Sequence, residues 1–151
     1  MLLAVDVGNT NVTLGLFRDR ILADSWRLQT QAARTRDEYS LLVRRLLIDA
    51  GHDLSDVSDI IMASVVPAVG ATLCTMFERL FGLAPHQVGP GSKTGVPIDY
   101  RPPTDVGADR IVNAVAAIAR VGPPCIVVDF GTATTFDCVN AKGAYVGGVI
   151  A

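Results

Sequence analysis

The chain opens with two apolar stretches that predict a hairpin of two strands. Leu2–Val5 is a continuous apolar run that predicts a buried strand, and in Val12–Leu16 apolar residues alternate with small or polar ones. The residues between these stretches are too few for anything but a tight turn. Ile21–Leu28 predicts a further strand, so the chain is expected to begin with three antiparallel strands.

Helical and strand patterns then alternate along the chain. Leucines at helical spacing predict a helix that starts at Asp37 and ends at Gly51. The later predicted elements are a buried parallel strand at Ile60–Val66, a helix at Val69–Phe81, a strand at His86–Val88, a helix at Asp105–Arg120, and strands at Cys125–Asp129 and Thr134–Val139. The order βββαβαβ up to Val88 predicts an α/β domain with a partly parallel sheet.

The opening hairpin is repeated near the end of the sequence. Val128–Gly131 repeats Val5–Gly8 at an offset of 123 residues, and Thr132–Thr134 falls over the polar run Asn9–Asn11. Each copy consists of a strand, a carboxylate, a glycine turn and a second strand. The repeat therefore predicts a duplicated architecture.

The duplication also predicts how the chain divides into domains. Residues 1–105 are expected to form the first domain, and residues 106–151 a connecting helix and the first strands of a second copy. We expect this second copy to be incomplete at Ala151, and a polypeptide of residues 1–151 alone to have little or no activity.

Composition and charge narrow the class of protein. Of the 151 residues, 50% are hydrophobic, the formal net charge is −2, and the 13 lysines and arginines are scattered, which predicts a globular protein without nucleic-acid or anionic-lipid partners. The sequence contains no apolar run as long as the roughly 18 residues of a membrane span. Its start lacks the pattern of a signal peptide, and its three cysteines form no CxxC motif, so we expect a cytoplasmic protein.

The first turn has the composition of a phosphate-binding loop. Gly8 permits close approach of the backbone to a ligand, and Asn9, Thr10 and Asn11 supply side-chain donors. Asp6 would repel a phosphate unless a cation lay between them, which indicates Mg²⁺. The alternative is that these polar residues only make the hydrogen bonds of an ordinary turn.

Three motifs together resemble those of the type III pantothenate kinases. They are Asp6–Asn11, Gly107–Arg110 and Asp129–Thr134, and the resemblance extends over the whole of 1–151. This family is part of the actin, Hsp70 and sugar-kinase superfamily, in which ATP lies between two ribonuclease-H-like domains. The resemblance implies ATP-dependent phosphorylation of pantothenate to 4′-phosphopantothenate, the first step of coenzyme A synthesis, with Mg²⁺ and a monovalent cation, K⁺ or NH₄⁺.

The resemblance also implies a role for individual residues. Asp109 would be the catalytic residue, Asp6 would hold Mg²⁺ through phosphate, and Asp129 would be associated with the monovalent cation. The residues implied to bind ATP and its phosphates are Asp6, Val7, Gly8, Asn9, Thr10, Asn11, Val12, Thr13 and Thr132. The residues implied to hold pantothenate are Tyr100, Gly107, Ala108, Asp109 and Arg110.

The assignment of Asp109 and Arg110 has a simpler alternative. Asp109 and Arg110 could be ordinary first-turn residues of the following helix, with Asp105 as its cap. Arg110 could pair with a carboxylate or with a transferring phosphoryl group. Asp137 is interpreted as an alternating polar position of its strand.

The assembled site and the partners follow as expectations. Asp6 and Asp129 would grip one polyphosphate from opposite sides, with Asp109 orienting the acceptor alcohol. The resemblance implies a homodimer, whereas the composition and charge predict no nucleic-acid or membrane partner. The competing hypotheses are a non-catalytic regulator, such as an accessory transcription factor, and another phosphotransferase or phosphatase of the same superfamily.

Overall fold

The computed structural model describes residues 1–89 and 91–151, which form two compact units, Met1–Gln87 and Val88–Ala151. The strands are β1 (Leu2–Val7), β2 (Asn11–Arg18), β3 (Ile21–Gln29), β4 (Asp59–Ser64), β5 (His86–Val88), β6 (Cys125–Phe130), β7 (Thr134–Val139) and β8 (Tyr145–Ile150). The helices are α1 (Arg36–Asp49), α2 (Pro67–Phe81) and α3 (Ala108–Val121). Within the described ranges, no helix is long and apolar enough to cross a membrane.

The first unit has the predicted element order and a mixed sheet. The strands lie in the order β3-β2-β1-β4-β5, with β1 antiparallel to β2 and parallel to β4. The prediction of a ribonuclease-H-like βββαβαβ arrangement is therefore confirmed.

One face of this sheet carries the hydrophobic core. Alternation along β1 and β2 places every second side chain on that face, and the helices α1 and α2 cover it with residues at helical spacing. The fully or nearly fully buried members are Leu3, Val5, Val7, Val12, Leu14 and Leu16 from the strands, and Tyr39, Val43, Leu47, Leu73, Met76 and Phe77 from the helices. Because Val7 and Val12 are anchored there, the ends of the strands beside the turn are fixed.

The second unit is a three-stranded antiparallel sheet, β6-β7-β8, with α3 packed against it. Ile111 and Ala114 of α3 are buried with Val139 and Tyr145 of the sheet. The loop before α3 is joined to the sheet through an isolated bridge between Ile98 and Tyr145. This unit therefore fixes the start of α3 and the preceding loop against one set of strands.

The two hairpins are equivalent up to the turn and then differ by one residue. In the first, Asp6 is opposite Thr13, and in the second, Asp129 is opposite Thr135. The closing pairs are Val7 with Val12 and Phe130 with Thr134, so the second turn is one residue shorter. Thr134 is therefore equivalent to Val12, and its predicted alignment with Asn11 is wrong.

The equivalence continues into the third strand of each sheet. The ladder between β2 and β3 shifts register between Leu16 and Phe17, and the ladder between β7 and β8 shifts between Cys138 and Val139. These irregularities occupy the same place once the shorter turn is taken into account. A β-bulge is a specific local feature, so its repetition supports a duplication of all three strands.

The start of α3 differs from the prediction. Asp105 ends a 3-10 turn, Pro103–Asp105, and the helix begins at Ala108 with Gly107 as its N-cap. Val106 lies between them in extended conformation with its side chain in the core, so the helix cannot continue through it. Asp105 is therefore not the cap of the helix.

The compact units divide the chain earlier than the predicted domain boundary. Residues 88–105 lie with the second unit, because the loop pairs with β8 and packs around α3. The boundary at 105/106 stays a prediction about the duplicated domains.

Candidate functional site

The turn between β1 and β2 is narrow and held by its neighbours. The backbone N–H of Gly8 donates to the carbonyl of Asn11 at 2.9 Å, and a Cβ on Gly8 would lie only 3.3 Å from that oxygen. Thr30 Oγ1 donates to the carbonyl of Gly8 at 2.7 Å, and its N–H donates to the carbonyl of Thr10 at 2.8 Å. Thr30 thus engages two carbonyl oxygens that would otherwise repel an anion at the turn.

The predicted phosphate-binding residues fall into two groups. Asp6, Asn9 and Thr10 are exposed, and Gly8, Asn11 and Thr13 are partly exposed. Val7 and Val12, by contrast, are 0% exposed and belong to the core. Their side chains cannot reach a phosphate, so any contact they make with ATP must come from the main chain.

The carboxylate of Asp6 lies on the face of the sheet opposite the core of the first unit. This position follows from strand alternation, because Val5 and Val7 on either side of Asp6 are buried in the core. In the part of the chain that the structure describes, no group of three or more His, Cys, Asp or Glu could hold a metal ion. An exposed carboxylate beside a turn that is predicted to bind phosphate suits Mg²⁺, which is commonly held by one or two carboxylates together with substrate phosphates.

Asp109 and Arg110 lie in the first turn of α3. Asp109 is partly exposed, and its Oδ1 accepts a hydrogen bond from the backbone N–H of Arg110 at 2.8 Å. Gly107, the N-cap, has no side chain to cap the helix, and Ala108 is buried. A carboxylate at this position interacts favourably with the positive end of the helix dipole.

The side chain of Arg110 is paired with a buried carboxylate. Arg110 Nη1 donates to Asp137 Oδ1 at 2.9 Å, and the hydroxyl of Tyr145 donates to the same oxygen at 2.8 Å. Asp137 is 0% exposed, so its interpretation as an ordinary alternating polar position is wrong. It faces α3 from the middle strand of the sheet, and its charge is balanced there by the guanidinium.

The pKa values of Arg110 and Tyr145, which both contact Asp137, are shifted in the directions that keep these hydrogen bonds intact. Burial opposes the charge on Arg110, but its hydrogen bond with Tyr145 and the negative charge of Asp137 prevail and raise the pKa of Arg110. Burial, together with Asp137, raises the pKa of Tyr145. Arg110 is thus a permanent cation, and Tyr145 is a neutral hydrogen-bond donor.

Two glycines of β8 give these side chains their space. A Cβ on Gly148 would lie 2.7 Å from Asp137 Oδ1 and 2.9 Å from Arg110 Nη1, and it would overlap the carbonyl oxygen of Phe136. A Cβ on Gly147, whose φ is +124°, would lie 3.2 Å from the ring of Tyr100. Tyr100 and the Arg110–Asp137 pair therefore pack directly against the main chain of β8 at these two glycines.

Asp129 is linked to α3 through Asn113. Asn113 Nδ2 donates to Asp129 Oδ2 at 3.1 Å, and Asn113 lies one helical turn after Asp109. The structure therefore places Asp109 and Asp129 on the same side of the second unit. Thr132 is exposed in the turn that follows β6, in which the N–H of Gly131 donates to the carbonyl of Ala133 at 3.1 Å.

Comparison with known proteins identifies the family. The sequence matches the family model described as Type III pantothenate kinase over residues 2–151. The chain belongs to the type III pantothenate kinase family. It is 54% identical to a type III pantothenate kinase of Anaeromyxobacter dehalogenans (strain 2CP-C) over 150 residues, which is 99% of this chain and 59% of that protein.

Further relatives show the same extent of similarity. The type III pantothenate kinase of Syntrophotalea carbinolica is 53% identical over 151 residues, covering 100% of this chain and 59% of that protein. The chain thus spans 59% of the length of these curated relatives. The predicted membership of the type III pantothenate kinase family is confirmed.

Solved structures confirm the fold. The ethanolamine utilization protein EutJ from Carboxydothermus hydrogenoformans superposes with a TM-score of 0.57 at 16% identity, over 99% of this chain and 50% of that one. The Ppx/GppA phosphatase of Aquifex aeolicus gives 0.52 at 14% identity, over 99% and 51%. At such identities the likeness shows the shared ribonuclease-H-like fold and no more.

Several residues around the type III pantothenate kinase motifs were missed by sequence reasoning. They are Thr30, Asn113, Asp137, Tyr145 and Gly148. One pattern could have revealed Asp137: it shares a strand face with the apolar Val139, and a lone carboxylate on such a face requires a buried partner. Nothing comparable in the sequence marks Thr30, which follows β3 as part of a polar loop.

Proposed function

We propose that the protein phosphorylates pantothenate with ATP, giving 4′-phosphopantothenate and ADP, as the first step of coenzyme A synthesis. The observation that carries the proposal is the match to the type III pantothenate kinase family along residues 2–151, with relatives of that name at 54% identity. The geometry of both hairpins and of the Gly107–Arg110 turn supports it. No feature of residues 1–89 and 91–151 favours the regulator or another phosphotransferase.

Asp109 has the chemistry needed to activate the acceptor alcohol. As the alcohol oxygen forms its bond to the γ-phosphorus, its proton passes to the carboxylate, and the bond to the bridging oxygen breaks with its electron pair leaving on ADP. The transition state is loose, so most of the acceleration comes from placement and charge stabilisation and little basicity is required. Gly107, Ala108 and Arg110, together with Tyr100, would orient pantothenate for this transfer.

The first hairpin is proposed to hold the phosphates of ATP, with contacts from residues Asp6 to Thr13 and from Thr132 in the second turn. Asp6 would hold Mg²⁺ through the phosphates, and the bound ion would neutralise charge that develops on them. The carboxylate of Asp6 would orient the ion, and the polar side chains of the turn would bind phosphate oxygens.

Thr30 supports this hairpin, and its replacement tests the nucleotide side of the site. Thr30→Val removes the hydroxyl that donates to Gly8 and is expected to raise the KM for ATP about fivefold, the equivalent of roughly 1 kcal/mol for one hydrogen bond. The KM for pantothenate should stay constant, and Thr30→Ser should restore the wild-type value. Steady-state kinetics of the full-length enzyme measures both constants.

The matched control is Thr75→Val on the exposed face of α2. Its hydroxyl also donates to a backbone carbonyl, that of Ala71, but it lies within a helix and outside the hairpin. The KM for ATP should not change in this variant. An unchanged KM for ATP in Thr30→Val would show that the hairpin does not depend on Thr30.

Asp129 is proposed to associate with the monovalent cation. Its exposed carboxylate lies beside the amide of Asn113, and carboxylate and amide oxygens are suitable ligands for a hard cation. Asp129→Asn is expected to raise the K⁺ concentration for half-maximal activity about tenfold, the order of one lost charge interaction of about 1.4 kcal/mol. The measurement is activity against K⁺ concentration at constant ionic strength, with choline as the replacement ion.

Asp19→Asn is the control for this loss of charge. Asp19 is exposed in the turn after β2 with φ 56°, a conformation that asparagine also tolerates. Its K⁺ response should equal that of the wild type. If Asp129→Asn responds to K⁺ like the control, the cation is held elsewhere.

We also propose that the enzyme acts in the cytoplasm and as a homodimer. Three free cysteines suit a reducing compartment, and the family resemblance implies the dimer. Sedimentation of the full-length protein would test the oligomeric state.

A direct assay tests the proposed function. The full-length protein, with ATP, Mg²⁺, K⁺ and pantothenate, should release ADP and form 4′-phosphopantothenate, detected by mass spectrometry. A panel of sugars and inorganic polyphosphate distinguishes related phosphotransferases and phosphatases. ATP binding without turnover of any substrate would instead favour a regulator.

A further inference from the structure

The cluster beneath Arg110 consists of Asp137, Tyr145 and Gly148. Asp137 Oδ1 accepts hydrogen bonds from both Arg110 and Tyr145, while its buried Oδ2 has no partner among the described residues. The side chain of Arg110 is 16% exposed, so part of it reaches the surface beside Asp109. The partly exposed guanidinium of Arg110 is thus hydrogen-bonded to the fully buried carboxylate of Asp137.

This cluster is present in only one of the two repeated sheets. Asp137 is opposite Gly148 in the second sheet, and the equivalent row of the first sheet pairs Gly15 with Ser25. The glycine has therefore changed strands between the copies, and the strand that it left carries the buried carboxylate. The substitution creates room for the Arg110 guanidinium only next to α3.

Stability alone does not account for such a pair. Removing two charges from water carries a large desolvation penalty, and a buried ion pair often contributes no more to stability than well-packed apolar residues would. The unpartnered Oδ2 adds a further cost. The pair does, however, hold the guanidinium in one orientation. A planar guanidinium must be oriented in this way to make directional hydrogen bonds to an anionic or polar substrate.

We propose that Asp137 and Tyr145 are positioning residues, which fix the Arg110 guanidinium and with it the first turn of α3, so that Asp109 and Arg110 meet the acceptor substrate in one orientation. Among the described residues, the side-chain hydrogen bonds of the guanidinium come from Nη1, which leaves its other N–H groups to bind the acceptor substrate. In its reference to an acceptor, this inference rests on the proposed function.

A double-mutant cycle tests whether Asp137 acts through Arg110. Asp137→Asn in the full-length enzyme is expected to raise the KM for pantothenate about tenfold or more, with the KM for ATP within about twofold of wild type. In an Arg110→Ala background, the same change should have less than about a threefold further effect, because the group that it positions is gone. Losses that multiply in the double variant, or an equal rise in the KM for ATP, would overturn the proposal.

Tyr145→Phe keeps the test decisive if Asp137→Asn does not fold. It removes only the hydroxyl and leaves the buried ring in place, so the melting temperature should change little while the KM for pantothenate rises about threefold to tenfold. A wild-type KM for pantothenate in Tyr145→Phe would contradict the proposal. Asp49→Asn, which breaks the exposed Arg45–Asp49 pair on α1, is the control and should change neither constant.

A measurement without turnover separates this inference from the proposed function. In nitrogen-15 NMR spectra, the Nη1 protons of Arg110 should exchange slowly with water in the wild type and rapidly in Asp137→Asn. Equally rapid exchange in both proteins would refute the positioning role, whichever substrate the enzyme uses. If the protons are protected but pantothenate is not phosphorylated, the positioning of Arg110 stands and the proposed function fails.

Discussion

Asp109→Asn is expected to lower kcat for pantothenate phosphorylation by about 10² to 10⁴, the range typical of a lost general base. Asparagine has the same shape, and its side-chain oxygen can still accept the hydrogen bond from the N–H of Arg110. The first turn of α3 should therefore be preserved, and the KM for ATP should change little. What is lost is the acceptor for the proton of the alcohol.

The control for this variant is Asp105→Asn. Asp105 is exposed in the 3-10 turn that precedes α3, close to Asp109 in sequence but outside the helix. It loses the same charge and should keep wild-type kcat. Wild-type turnover in Asp109→Asn, measured as ADP release with a coupled assay, would remove Asp109 from the catalytic role.

Gly148→Ala is expected to destabilise the protein by roughly 3 kcal/mol, the upper range for overpacking. The added methyl group would lie 2.7 Å from Asp137 Oδ1 and 2.9 Å from Arg110 Nη1, and it would overlap the carbonyl of Phe136. The main chain of β8 cannot retreat without breaking its pairing with β7. Arg110 would be displaced, so the KM for pantothenate should rise as well.

Gly89→Ala is the control, since apart from its chain neighbours no described residue lies within 4 Å of a Cβ at Gly89. Denaturant unfolding of the full-length protein should give the wild-type midpoint for Gly89→Ala and a lower one for Gly148→Ala. Equal midpoints would mean that β8 has more room above Asp137 than the structure shows.

The first unit was predictable because its sequence patterns are local. Alternation in β1 and β2, helical spacing in α1 and a glycine turn each fit within a few residues, and the structure has all of them. The family motifs add Asp6 and Asp129 at strand ends, which the structure also shows. Local regularity of this kind is what a sequence displays most directly.

The features that escaped prediction depend on contacts distant in sequence. Asp137 is buried because Arg110, 27 residues away, reaches it, and Thr30 matters because it contacts Gly8 across 22 residues. The start of α3 was misplaced because Val106 is drawn into the core formed by distant strands. The shorter second turn was missed because a fixed offset between repeats does not allow a deletion.

The exchange of glycine between Gly15 and Gly148 has a consequence for how a duplicated protein can evolve. Two copies of one hairpin begin as chemical equals, yet a phosphotransferase must treat a donor and an acceptor differently. Here the copies keep the carboxylate near the end of the first strand, at Asp6 and Asp129, and differ two rows further along the sheet, at Asp137. The cross-strand pair of Asp137 and Gly148 thereby gives the second copy a buried charge that the Gly15–Ser25 pair of the first copy cannot supply.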